Sequence, residues 1–305
     1  MLSTLRAMRS QETAYRRQDY LAAFYDKESS EYRAVADDRS KMVDWATKLV
    51  NFANLSRETV EIAMSYTDRF LQTEEGQEYL GSASRFQLLV IVSLFLALKT
   101  HGSSAYISLG VFRKISRGQY DIETMLSMES KLLQVLDWRM NPPTTTGFMH
   151  LFLELVPSVI MDDDMKSTAL FLSQVQAEYA LHEYDLVATT RPSTVALAAL
   201  KNSLEALGVD DGDTSCITTF IQEQTWGELD DLNSLQTRLY GAIYSHTYSL
   251  HLPRHTKSNH QSYPTKNCGD CHAKSTKARI FREESNTPRS AVSHHHDYNT
   301  CSQPQ

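Results

Sequence analysis

A chain of 305 residues, 41% hydrophobic and 22% charged, is long enough for one or two domains with real cores and has an ordinary globular composition. The formal charge of -7 hides a split, because residues 251–305 carry more Lys and Arg than Asp and Glu, leaving an acidic body. An acidic body argues against a nucleic-acid groove, and four cysteines, of which only Cys216 precedes residue 250, exclude a disulfide framework.

Glycine and proline are scarce before residue 250, as long helices require. The opening ten residues lack the apolar run of a signal peptide. Phe86–Leu98, the most apolar run, falls short of the roughly 20 residues that span a bilayer and contains Gln87 and Ser93. It reads as a buried helix, and the expectation is a soluble intracellular protein of nucleus and cytoplasm, with no membrane and no nucleic acid among its partners.

In chain order, residues 1–38 carry a helical pattern with Tyr15, Leu21, Phe24 and Tyr25, predicting a helix packed by one face. Arg39–Ala53 places Met42, Val43, Trp45, Ala46, Leu49, Val50 and Phe52 on an amphipathic stripe. Ser56, with Thr59 three residues on, predicts the start of a helix reaching about Leu71. A polar loop over Gln72–Ser84 leads into Phe86–Leu98, which is apolar on every side and therefore central to a bundle. A short helix near Ile107–Ser116 and another over Asp121–Leu136 follow, the latter presenting Met125, Met128, Leu132, Leu133 and Leu136. Asn141-Pro142-Pro143 stops it.

A second set of five helices follows. Thr145 or Thr146 caps the first; Asp162–Asp164 puts negative charge at the start of the next, ending near Glu183. Pro192 opens an Ala- and Leu-rich helix to Leu207, and helices near Thr214–Gln224 and Glu228–Ser249 complete the set. The resulting expectation is all-α: a helical segment at 1–36, five-helix repeats at 37–142 and 143–250, and a disordered tail at 251–305, where apolar periodicity vanishes.

Five segments in this order resemble the cyclin family. Arg39-Ser-Lys-Met-Val-Asp-Trp45 is similar to its opening signature, Met-Arg-Ala-Ile-Leu-Val-Asp-Trp. Tyr66-Thr-Asp-Arg-Phe-Leu71 resembles Tyr-Leu-Asp-Arg-Phe-Leu. The stretch from Phe86 through Leu88 to Lys99 looks like the central helix ending in Ala-Ser-Lys. Met128-Glu129 with Leu133-Gln-Val-Leu136 resembles the Met-Glu and Leu-x-x-Leu segment, and Arg191-Pro192-Ser193 is similar to the second repeat. The resemblance spans about residues 36–250.

It implies two tandem five-helix cyclin folds and a non-enzymatic subunit without cofactor. That subunit binds and activates a cyclin-dependent protein kinase in cell-cycle control by holding the kinase αC helix in its active position. A transcription-linked cyclin, or a cyclin-fold scaffold in transcription, is the alternative. No P-loop, nucleophile elbow, zinc-protease pattern or dinucleotide turn is found in the sequence.

Arg39, Asp44, Trp45, Asp68 and Leu88 are implied structural positions of the cyclin box. Asp68 is costly to bury alone, and Arg39 is its implied partner. Lys99 ends an apolar helix, where a cation suits the dipole; the resemblance places it beside Glu129 at the kinase interface. Leu132 and Leu133 supply apolar contact nearby or belong to the core.

Trp45 and Gln87 match a remnant of the family's substrate dock, but Asp38 and Lys41 stand where apolar residues are usual. In the tail, Cys268, Cys271 and His272, with His294, His295, His296 and Cys301, have zinc-ligand chemistry, against an accidental collection as the simpler reading. Thr287-Pro288 offers a phosphorylation site through which ubiquitin-ligase machinery would be recruited.

Overall fold

Apolar side chains recurring every three or four residues can be buried only against other helices. The computed structural model realises that pattern as 13 helices and no strand among the described residues, which are 2–15, 18–102, 108–225 and 232–251. In order these are α1 (Leu2–Ala14), α2 (Ser30–Phe52), α3 (Glu58–Leu71), α4 (Glu74–Leu80), α5 (Ala83–His101), α6 (Leu109–Ile115) and α7 (Ile122–Val135). Then come α8 (Thr145–Leu155), α9 (Asp163–His182), α10 (Tyr184–Thr189), α11 (Pro192–Leu207), α12 (Asp211–Thr225) and α13 (Leu232–His251).

Both helices expected at the centre lie there. α5 touches α2, α3, α4, α6 and α7, and every residue from Phe86 to Leu98 except Gln87 is buried. It is long and apolar enough to cross a membrane, but its apolar surface is spent on the protein core. α11 is surrounded by α8, α9, α12 and α13, and Ala196, Ala198 and Ala199 allow that close packing. Its core also holds a polar network, with Ser173 and Ser203 hydroxyls 2.9 Å apart and Asn202 donating to Gln176 at 2.8 Å.

Several expectations are corrected. The N-terminal helix ends at Ala14; residues 18–29 form turns, with Tyr20 and Leu21 buried and Phe24 48% exposed. α2 starts nine residues before Arg39, because Ser29 caps it by accepting the Tyr32 N–H at 3.1 Å. The stretch predicted as a polar loop contains α4. Thr73 accepts the Gly76 N–H, Glu74 and Glu75 sit at the positive helix end, and Tyr79 and Leu80 are buried. Gly76 is needed there, since a Cβ would fall 2.0 Å from the Phe70 carbonyl oxygen.

Ser56 does not cap α3, which begins without a side-chain cap; Glu58 and Glu61 supply the first-turn charge instead. Thr144, not Thr145 or Thr146, caps α8, and Asp162 caps α9. Each half thus carries one short helix, α4 or α10, beyond the five expected. The expected disorder of the tail, metal ligands at Cys268, Cys271 and His272, and modification at Thr287 lie outside the described residues.

Candidate functional site

A helix as apolar as α5 can meet solvent only at its ends. Its last turn does so through Lys99, Thr100 and His101, where a cation also faces the negative end of the helix dipole. α7 is amphipathic: Asp121 caps it by accepting the Thr124 N–H at 2.7 Å, and Met125, Met128 and Leu132 point inward. Glu129 lies among these inward-facing residues, and its side chain is only 7% exposed. A carboxylate so placed needs a partner. Lys99 Nζ donates to Glu129 Oε1 at 2.8 Å, its own side chain being 58% exposed, and it lies 5.8 Å from the centre of the Phe95 ring.

Two residues from different helices, 30 positions apart, therefore present one ion pair whose glutamate is fixed and whose lysine faces solvent. Leu133, half-buried, lies one turn beyond Glu129. Leu132 is fully buried and offers no surface to a partner, so of the two expected leucines only Leu133 does.

Trp138 was not anticipated. After α7 the backbone enters the left-handed region at Asp137 (φ 52°) and Trp138 (φ 57°), and the indole is 69% exposed. The turn is tied down from several sides. Trp138 N–H donates to the Leu133 carbonyl at 3.0 Å, Arg69 donates to the Arg139 carbonyl at 2.8 Å, and His101 Nε2 lies 2.6 Å from the Met140 carbonyl. The last contact brings the turn against the end of α5 that carries Lys99. Two consecutive non-glycine residues at positive φ leave no mark in apolar periodicity, so the sequence held no sign of them.

Behind this surface, Arg39 and Asp68 form a two-pronged bond at 2.9 and 2.8 Å, with side chains 1% and 2% exposed. Arg39 also donates to the Leu181 carbonyl of α9 at 2.7 Å, and Tyr20 donates to Asp68 at 3.1 Å. Burial alone would lower the Arg39 guanidinium, but the Asp68 charge and its hydrogen bonds outweigh this and hold it above its ordinary value. Burial, then the Asp68 charge, holds the Tyr20 phenol well above its ordinary value. One buried pair thus joins α2, α3, α9 and the segment before α2. Leu88 is core. Asp44 is exposed and pairs with Lys48 at 2.6 Å, one turn along α2, so it takes no part in that buried junction.

The residues matching a substrate dock are only partly gathered. Asp38, Lys41, Met42, Phe86 and Gln87 line one shallow groove with Gln119, while Trp45 packs half-buried against the core and is not in its lining. Tyr120 holds Gln87 by donating to its Oε1 at 3.0 Å. Lys41 is bound to Asp37 at 2.8 Å and Asp38 at 2.9 Å, so the groove is charged where an apolar cleft would be greasy. No cluster of three or more His, Cys, Asp or Glu able to hold a metal occurs among the described residues.

Residues 3–141 match the family described as cyclin, N-terminal domain. The chain is 31% identical over 172 residues to a G2/mitotic-specific cyclin-A of Spisula solidissima, covering 56% of this chain and 38% of that one. It is 28% identical over 239 residues to Cyclin-A3-1 of Oryza sativa subsp. japonica, covering 78% and 59%. It thus spans less than two thirds of the length of each of these relatives. The fold is similar to the crystal structure of a viral cyclin from herpesvirus saimiri, with a TM-score of 0.61 and 14% identity over 81% of this chain and 98% of that one. The similarity to cyclins thus rests on the matched N-terminal residues, which hold the buried Arg39–Asp68 bond, and on the fold of the paired helical halves.

Proposed function

We propose that this chain is a regulatory subunit that binds and activates a cyclin-dependent protein kinase in cell-cycle control. The observation that carries the reading is the Lys99–Glu129 pair, held at 2.8 Å between α5 and α7, with Leu133 one turn further along α7 and the exposed Trp138 in the turn that follows. A fixed ion pair edged by apolar side chains suits capture of a partner helix by charge and burial together.

A kinase needs the glutamate of its αC helix turned inward to pair with the lysine that positions ATP phosphates. A rigid surface that binds only the turned-in helix shifts the kinase toward that state by its differential affinity. The cyclin subunit supplies no reacting atom. Its contribution is a preformed face, kept rigid by the all-apolar α5 beneath it and by the Arg39–Asp68 junction behind it.

The test is affinity capture of a kinase with the immobilised full chain, reading both the bound subunit by mass spectrometry and protein-kinase activity in the eluate. The wild type should retain an active kinase, and Lys99→Ala/Glu129→Ala should lose it by more than about tenfold, the equivalent of about 1.4 kcal/mol. No kinase on the wild type, or equal retention by the double variant, overturns the reading.

A further inference from the structure

The 42 residues from Tyr79 to Tyr120 contain no Asp or Glu, although the chain has 37 of them and is acidic overall. The stretch carries Arg85, Lys99, Arg113, Lys114 and Arg117. Arg85 is paired with Glu78 and Lys99 with Glu129. The other three are exposed at the end of α6 and the turn after it, and none forms an ion pair among the described residues. The nearest acids in sequence are Asp121, which accepts the Thr124 N–H at 2.7 Å and lies in the field of Arg113 without forming an ion pair with it, and Glu123.

The turn that carries these cations is held in a costly shape. Arg117 has φ 55° and Gly118 φ 75°. A non-glycine residue in that region costs on the order of 1 kcal/mol. The turn is closed by Gly118 N–H on the Arg113 carbonyl at 2.8 Å and Arg117 N–H on the Lys114 carbonyl at 3.0 Å. Arg117 is thereby presented outward from a fixed backbone.

Apolar side chains flank the cations. Val111 on α6 is 44% exposed, and Ile122 and Leu126, one turn apart on α7, are 40% and 50% exposed. α6 cannot turn Val111 inward, because Phe112 already fills its core side, packing edge-on against Phe95 at 5.6 Å.

We infer that this corner of α6 and α7 is a docking surface for an acidic amphipathic segment of a partner protein, its carboxylates on Arg113, Lys114 and Arg117 and its apolar side chains on Val111, Ile122 and Leu126. Charge complementarity selects the occupant: the rest of the body is acidic and repels such a segment, so the unpaired cations fix where it lands. A lone phosphate would leave the apolar side chains uncovered. An anionic membrane would meet a chain whose net charge is -7. The inference needs no kinase and stands whether or not the Lys99–Glu129 reading does.

The experiment uses the full chain and a fluorescein-labelled helical peptide with Leu on one face and Glu and Asp on the other, followed by anisotropy. Binding should weaken as salt rises. It should drop at least about tenfold in Arg113→Glu/Lys114→Glu/Arg117→Glu and by a similar factor in Ile122→Ser/Leu126→Ser. Lys48→Glu, a charge reversal on α2, should leave the affinity unchanged, and circular-dichroism melts should show all variants folded. Equal binding by the triple reversal overturns the inference, as does equal loss in Lys48→Glu. So does equal affinity for the same peptide with Ser in place of Leu, or stronger retention on phosphatidylserine vesicles than on the peptide.

Discussion

Arg39 on α2 and Asp68 on α3 lie 29 residues apart, bind each other through two parallel hydrogen bonds and are almost wholly buried. Nη1 of the same guanidinium donates to the Leu181 carbonyl, so this side chain ties the first set of helices to the second. Arg39→Ala strands the Asp68 charge and should cost about 3–5 kcal/mol of unfolding free energy in urea titrations. The double variant Arg39→Met/Asp68→Leu should lose clearly less than the sum of its single changes, since it leaves no charge behind. Additive losses would show that the two residues act separately.

At the surface pair the burial is unequal, Lys99 being 58% and Glu129 7% exposed in their side chains. Removing the lysine leaves a buried carboxylate, whereas removing the glutamate leaves a lysine free to turn into water. Thermal melts should therefore rank Lys99→Ala below Glu129→Gln, by about 1 kcal/mol. Both variants should fail in kinase capture. An inverted ranking would place the burial on the wrong partner.

Trp138 separates stability from binding. Its indole is 69% exposed, so Trp138→Ala should change unfolding free energy by less than about 0.5 kcal/mol. The same change should weaken kinase capture by about tenfold or more, as for an aromatic anchor. Asp137→Gly should stabilise by about 0.5–1 kcal/mol by relieving φ 52°. Undiminished capture by Trp138→Ala would remove the indole from the interface.

Alkaline pH tests the buried phenols. Burial, opposed by a hydrogen bond with Thr100, raises Tyr66 to about 12, and burial, then the Asp68 charge, holds Tyr20 well above its ordinary value. Each folded value exceeds the unfolded one near 10, so the contribution is complete below about pH 10 and is lost as pH rises through the folded value. For Tyr66 the loss should be about 1.4 kcal/mol per pH unit above about pH 10. Urea titrations at about pH 9 and about pH 11 should show a smaller decline in Tyr66→Phe than in wild type. Equal declines would exclude this phenol as the source.

The helices that bury themselves were readable from residue type alone. Phe86–Leu98 has no polar face to expose, so burial at the centre of a bundle is its only stable placement, and Pro192 with the alanines after it is nearly as restrictive. Short elements were less legible. α4 has only seven residues, too few to establish a period, and its Tyr79 is held by Phe70 of the preceding helix at 5.1 Å and by Met128 of α7, whose Sδ accepts its hydroxyl at 3.4 Å.

Residue types and their order determined the paired helical halves, the central helices and the need of Asp68 for a counter-charge, because these follow from patterns confined to single segments. Tertiary structure alone decided that Leu132 is core while Leu133 is open. It also set Trp138 and Arg117 outward on left-handed turns and left three cations unpaired at one corner. Exposure and pairing depend on which neighbours arrive from distant parts of the chain, and one-dimensional periodicity does not encode those arrivals.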